Sequence, residues 1–302
     1  MPSISSKRWI WDFIITGIHW NGSNDYALNW RQTLMNIRNL IYKGVEIPYR
    51  IHANEGKETI LLLHPAFADY RIFEYQIAGF KERYQLILID LPGHGNSPIR
   101  SSAITLKDVP ELCNRIMDDN GIDQCHILGV SLGSLVAQAI ADRYPQRVRS
   151  VTIVGGYSIH KDNTPILKAQ RKEMLRWTFY ILFSMRKFRK YVLNVSCHTN
   201  HGRQLFQQGI QHFNRKSFAA MSGMNAFFTP KSAPMPYPLL IIVGDKDLQL
   251  ANDAALSLHQ AEPRSRMATI AEAGHCANAD APEKFNAIVL DFLRSATYNT
   301  LK

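Results

Sequence analysis

Ser131 stands between two glycines in Gly129-Val130-Ser131-Leu132-Gly133, after an apolar run and before an alanine-rich one. In a sharp strand-to-helix turn of this pattern a serine hydroxyl is exposed at a helix N-terminus. Free N–H groups and the helix dipole favour developing negative charge there. A serine hydroxyl is a poor nucleophile at neutral pH and needs a neutral imidazole to take its proton. His275, in Glu272-Ala273-Gly274-His275-Cys276, falls between the last expected strand and the last expected helix, a loop position none of the other ten histidines shares. An acid must then hold the far imidazole nitrogen. Asp247, three residues past Gly244, completes the chain order Ser, Asp, His, and Asp245, two residues nearer the strand, competes for the role. Asp253 and Asp280 read as surface or capping residues.

Positioning such groups requires strands that end where the loops begin. Leu40 to Ile51 reads as two short strands around a Lys43-Gly44 turn. Thr59 to His64 and Gln85 to Asp90 are continuous apolar runs, the sign of strands covered on both faces. Cys125 to Val130, Val148 to Val154, Leu239 to Val243 and Ser265 to Ile270 complete the set. Helical spacing occupies Arg71 to Phe80, Thr105 to Asp119, Ser134 to Tyr144 and Pro282 to Leu293, the last with proline in its first turn. Strands alternating with helices predict an α/β fold, a mostly parallel central sheet covered by helices on both faces. Residues 157–234 break the rhythm with Met- and aromatic-rich helical sequence and predict an inserted helical lid. The expected organisation is a helical N-terminal extension over 1–39, a first core part over 40–156, the lid over 157–234, and a second core part over 235–302.

Taken in order, Leu61-Leu62-Leu63-His64, Asp90-Leu91-Pro92-Gly93-His94-Gly95-Asn96-Ser97, the Ser131 turn, Val243-Gly244-Asp245-Lys246-Asp247 and Ala273-Gly274-His275 resemble the α/β-hydrolase fold family, over residues 40 to 295. The resemblance implies a serine hydrolase of the carboxylesterase or lipase kind, with Ser131, Asp247 and His275 as catalytic residues. It prefers the second Asp of Gly244-Asp245-Lys246-Asp247, and places one oxyanion donor at Leu132. The other belongs to the loop after His64, where His64-Pro65-Ala66-Phe67 departs from the family's His-Gly pattern. Proline has no N–H, so Ala66 is the expected donor and Phe67 the fallback. Phe67, Val130 and Trp177 are the candidates for binding substrate. His64 and His94 are expected to shape these loops rather than move protons. Lactonases, perhydrolases and carbon–carbon hydrolases share the same triad, and a small-ligand receptor is the non-catalytic alternative.

Composition narrows the remaining classes. The 302 residues are 46% apolar and 20% charged, enough for a large core. Cys113, Cys125, Cys197 and Cys276 form no CxxC pair, which predicts free thiols and a cytoplasmic protein. Lys7-Arg8 precede an apolar stretch from Trp9 to Ile18, but Asp12 interrupts it and no small-residue cleavage site follows. The expectation is an amphipathic helix on the body or on a membrane surface. The formal charge is +10, and residues 161–231 alone hold 13 basic side chains against two acids. That segment has no zinc-finger or RNP-like spacing, which argues against nucleic acid. Within it, Leu175 to Phe183 is largely apolar and Arg186, Lys187, Arg189 and Lys190 follow. Such a helix must be buried or touch something apolar, either as a lid over the sheet or as a site for an acyl chain with an anionic headgroup or membrane lipid. The expected partner is a small acyl substrate, with no metal or organic cofactor, because the triad supplies nucleophile and base itself.

Overall fold

The computed structural model describes residues 35–97 and 104–300. The extension expected over residues 1–39 lies outside the described residues up to residue 34. Its last part is corrected, because residues 36–39 are strand: β1 (Asn36–Tyr42) pairs antiparallel with β2 (Val45–His52) along its whole length. Lys43 and Gly44 join them with φ of 50° and 74°, both positive, as the twist of a two-residue hairpin demands.

The strands β3 (Thr59–Leu63), β4 (Gln85–Ile89), β5 (Cys125–Val130), β6 (Val148–Val154), β7 (Leu239–Gly244) and β8 (Ser265–Ile270) complete one eight-stranded sheet in the order β1-β2-β4-β3-β5-β6-β7-β8. β2 is antiparallel to β1 and β4, and every other neighbouring pair is parallel. The helices are α1 (Glu74–Phe80), α2 (Val109–Asp119), α3 (Leu132–Arg143), α4 (Thr164–Phe183), α5 (Met185–Ser196), α6 (Asn200–Ile210), α7 (Ser217–Ala220), α8 (Gln249–Ala261), α9 (Ala277–Asp280) and α10 (Pro282–Thr300). Helices α4 to α7 lie between β6 and β7, so the segment expected to be helical is helical. Helix α8 has no counterpart in the sequence expectations. Its Gln249-Leu250-Ala251-Asn252-Asp253 start lacks a capping side chain, and few of its residues are buried.

Alternation along the strands builds two apolar layers. Leu61, Leu63, Ile87, Ile89 and Ile127 face one way, packed with Leu112 and Ile116 of α2, Val136 and Ile140 of α3 and Leu258 of α8. Ile60, Leu62, Leu86, Leu88 and Leu128 face the other, packed with Phe80 of α1, Phe285 and Val289 of α10, and Phe188, Val192 and Phe206 of the insertion. This is why the strands read as unbroken apolar runs: neither face meets water. Each such side chain contributes about 1.5–3 kcal/mol of transfer free energy.

One buried ion pair fastens the antiparallel edge to the loops at the carboxyl ends of the strands. Arg50 of β2 reaches Asp90 at 3.3 Å, with the two side chains 5% and 1% exposed, and its guanidinium lies 3.5 Å over the Tyr70 ring. Asp90 also accepts N–H bonds from Tyr70 and Asn96 at 3.0 and 2.9 Å. Removing one partner of a pair this buried strands the other charge. Arg50→Met is therefore expected to lower the unfolding free energy by about 3–5 kcal/mol in urea titration, and adding Asp90→Asn should recover part of the loss. An unchanged urea midpoint in the single variant would contradict this reading.

Candidate active site

Ser131 follows the last residue of β5 and precedes α3, which begins at Leu132, two residues earlier than expected. Its backbone has φ 51° and ψ −112°, a conformation that costs a non-glycine residue about 1–3 kcal/mol. Surrounding bonds hold it there: Ser131 N–H donates to the Val154 carbonyl at 2.7 Å, and the Ser131 carbonyl accepts from Ser134 N–H at 2.9 Å and Ser134 Oγ at 2.6 Å. The glycines of the turn are required by space. A Cβ on Gly129 would overlap the Gly133 carbonyl, and one on Gly133 would overlap the Leu63 carbonyl of β3.

Three loops at the carboxyl ends of parallel strands, where ligands bind in open α/β sheets, bring the other residues to Ser131. His275 Nε2 lies 2.8 Å from Ser131 Oγ, and His275 Nδ1 lies 2.8 Å from Asp247 Oδ2. The Asp247 side chain is 2% exposed and that of His275 25%. Burial pushes the His275 imidazole towards its neutral form, but the charge and hydrogen bond of Asp247 outweigh it and raise the pKa above the ordinary value. Asp245 takes no part: it is exposed and pairs with Lys246 at 3.3 Å. Gly155 fits the loop after β6 under the imidazole, where a Cβ would meet His275 Nδ1 at 2.9 Å.

Leu132 N–H and Ala66 N–H have no hydrogen-bond acceptor among the described residues, and neither does Phe67 N–H. Phe67 itself has φ 69°. Its ring sits in an aromatic cluster with Trp177, Phe188, Phe213 and Phe218 at 5.2, 5.2, 5.0 and 6.0 Å between centroids. The loop after β3 is thus clamped by three elements of the insertion and the segment between them. Trp177 is half-buried, with its indole N–H enclosed and without a partner among the described residues. Val130 is 0% exposed within β5, so the substrate-binding expectation for it is corrected: its side chain fills the core.

His64 and His94 are built into the loops. Leu91 N–H donates to His64 Nε2 at 2.8 Å, which leaves Nδ1 as the protonated nitrogen, donating to the Pro65 carbonyl at 2.8 Å. Burial lowers the pKa of both, that of His94 to about 3, so they are neutral. Asp280, expected as a surface or capping residue, is buried rather than on the surface. Its carboxylate accepts from Gly274 N–H at 2.8 Å, next to His275, and from His198 and Thr199 N–H of the insertion at 2.8 and 2.9 Å. Its place five residues past His275, in a segment of small residues, was the available signal. Among the described residues no cluster of metal-ligating side chains occurs.

A family model described as the alpha/beta hydrolase fold matches residues 58–178. The chain is 26% identical over 275 residues to the 2-hydroxy-6-oxononadienedioate/2-hydroxy-6-oxononatrienedioate hydrolase of Paraburkholderia phymatum, covering 84% of this chain and 94% of that one. It is also 26% identical over 263 residues to the dihydrolipoyllysine-residue acetyltransferase component of the acetoin cleaving system of Cupriavidus necator, covering 82% of this chain but spanning only 66% of that protein's length. A thermophilic esterase from Thermogutta terrifontis superposes with a TM-score of 0.73 at 19% identity, over 86% of this chain and 99% of that one. This sheet order, with these loops at its strand ends, is the α/β-hydrolase fold, the fold that the family model describes.

The Asp247 contact makes a prediction independent of any substrate. In proton-resolved NMR the His275 imidazole should titrate above the free value of about 6.5, and Asp247→Asn should move the midpoint down. A midpoint unaffected by that substitution would show that Asp247 does not set the imidazole's charge.

Proposed function

We propose that the chain is a serine hydrolase that cleaves an ester, thioester or related acyl bond through an acyl-Ser131 intermediate. The observation that carries this reading is the unbroken relay from Ser131 Oγ through His275 to Asp247, 2.8 Å at each step, together with the N–H groups of Leu132 and Ala66, which have no acceptor among the described residues. Neutral His275 takes the Ser131 proton as Oγ attacks the acyl carbon. Asp247 stabilises the imidazolium without being protonated. Leu132 and Ala66 N–H donate to the oxyanion, and His275 returns the proton to the leaving group. Water, activated by the same imidazole, then releases the acid and restores Ser131.

Helices α4 to α7 act in this reading as a lid, with half-buried Trp177, backed by the buried Phe67 ring, forming an apolar wall that suits an acyl chain. No metal or cofactor enters the reaction. Four buried free thiols fit a reducing compartment such as the cytoplasm. Among the described residues no helix is long and apolar enough to cross a membrane.

Similarity to the 2-hydroxy-6-oxononadienedioate hydrolases supports a second reading, carbon–carbon hydrolysis by the same triad. The two separate by the charge of the substrate. A dioate calls for cations at the site, whereas Lys246, beside the triad loops, is engaged by Asp245 and Glu272 at 3.3 and 3.0 Å. That favours an uncharged acyl group.

A fluorophosphonate probe should label the wild-type chain and not Ser131→Ala, and p-nitrophenyl esters of rising chain length should be turned over only by the former. Equal labelling or equal turnover would overturn the reading. Because His275 must be neutral to accept the proton, kcat/KM should fall as pH drops through the raised pKa of His275, above about 6.5. Asp247→Asn should lower kcat by about 10⁴-fold.

A further inference from the structure

Helix α4 is apolar on two opposite faces, and the described residues cover only one of them. Ile166, Trp177, Tyr180 and Ile181 are half-buried against the two core layers. On the other side Leu175, Phe179, Leu182 and Phe183 fall at helical spacings of four, three and one, and are 74%, 59%, 64% and 72% exposed. Met174 beside them is 58% exposed, and the Phe179 and Phe183 rings pack at 4.7 Å. Isolated exposed apolar side chains are ordinary, but a stripe of four on one helix face, Leu175, Phe179, Leu182 and Phe183, marks an interaction surface.

Both ends of the stripe are basic. Lys168, Arg171 and Lys172 precede it and are exposed. Arg186, Lys187 and Lys190 follow it on the exposed side of α5, opposite the buried Phe188 and Val192. None of these six has an ion-pair partner among the described residues. The two acids of residues 161–231 are already engaged: Glu173 with Arg176 and Tyr191 at 3.1 and 2.6 Å, Asp162 with Thr164 N–H at 2.9 Å. The five charges from Lys168 to Arg176 forbid α4 from spanning a bilayer, but an apolar stripe with a cationic rim matches an interface between acyl chains and anionic headgroups.

We infer that the outer face of α4, with Arg186, Lys187 and Lys190, docks the protein on an anionic bilayer surface, with α4 lying in the interface plane. The apolar stripe enters the acyl boundary while the cations stay with the headgroups. This goes beyond the hydrolytic reading and does not depend on it. Docking would set the membrane against the insertion whose inner face holds Phe67 and the Ala66 loop.

The test is sedimentation of the full chain with phosphatidylcholine vesicles, with and without phosphatidylglycerol. Wild type and Ser131→Ala should bind the anionic vesicles equally, and added salt should weaken binding. The triple variant Arg186→Gln, Lys187→Gln and Lys190→Gln should bind roughly a hundredfold more weakly, since each basic residue near such a surface is worth about 1 kcal/mol. Leu175→Ser, Phe179→Ser and Phe183→Ser together should abolish binding while the circular dichroism spectrum stays native. Equal binding to both vesicle types, no binding to either, or anionic binding that both triple variants retain would overturn the inference. Self-association without lipid that the serine variant abolishes would also overturn it, by assigning the stripe to a second copy of the chain.

Discussion

The close approach of α3 to β3 sets the geometry of everything around Ser131. Gly133 presses its Cα against the Leu63 carbonyl, and Gly129 faces Gly133 with no room for a Cβ on either. This contact forces the chain to turn within one residue, and Ser131 absorbs the turn in its φ of 51°. The position of the hydroxyl therefore follows from how strand and helix pack. The same contact bears on the two proposed oxyanion donors, because the Leu63-His64 backbone that meets Gly133 leads directly into Pro65-Ala66-Phe67. Leu132 on one side and Ala66 on the other are neighbours of one steric contact. A preorganised pair of donors loses little in reorganisation when charge develops.

Three histidines near this turn show how environment assigns role. His64 spends both nitrogens on backbone, accepting from Leu91 and donating to Pro65, and so binds the loops after β3 and β4 to each other. His94 is buried with its pKa near 3 and an enclosed Nε2 that lacks a partner among the described residues. Only His275 has a buried carboxylate on one nitrogen and a hydroxyl on the other. Burial alone would have made it as inert as the other two, and Asp247 reverses the sign of the effect. Asp280 serves this arrangement from a distance: by accepting from Gly274 and from His198 and Thr199, it fixes the His275 loop to the start of α6.

The parts of the fold legible in the sequence are those fixed by local rules. Ile60–Leu63 and Leu86–Ile89 are apolar without interruption because both faces are covered, and Lys43-Gly44 reads as a hairpin turn because glycine readily takes the positive φ that such a turn needs. Ser131, Asp247 and His275 were legible because each follows a strand that could be recognised. What failed depends on tertiary contact. Nothing in Val130 itself says that its side chain turns into the core, and Asp280 looks like a surface acid until the insertion brings His198 and Thr199 to it. Helix α8 lacks both a capping side chain and a long apolar stripe, the two features that mark a helix in sequence. β1 starts at Asn36 because β2 offers a partner for every residue back to it, although Asn36 to Asn39 are exposed and carry no apolar pattern.

The charge of the insertion has a meaning that its position separates from substrate recognition. Residues 161–231 carry a net charge of +11, while the rest of the chain nets about −1. If that excess served to bind an anionic substrate, unpaired cations should line the loops around Ser131. The described residues put aromatic rings there, Phe67 and Trp177, and Lys246 is neutralised by Asp245 and Glu272. Arg189 and Arg215 are likewise occupied, donating to the carbonyls of Phe213 and of Ile181 and Leu182. Among the described residues, the six cations at the two ends of the exposed stripe of α4 have no ion-pair partner, and neither does exposed Lys216. A cation beside an apolar surface in water gains nothing from that surface, and a row of them repels itself. In the docking inferred above, an anionic, partly apolar phase covers both, with the cations and the Phe179 and Phe183 rings on the outside of the insertion and the Phe67 and Trp177 rings on its inside.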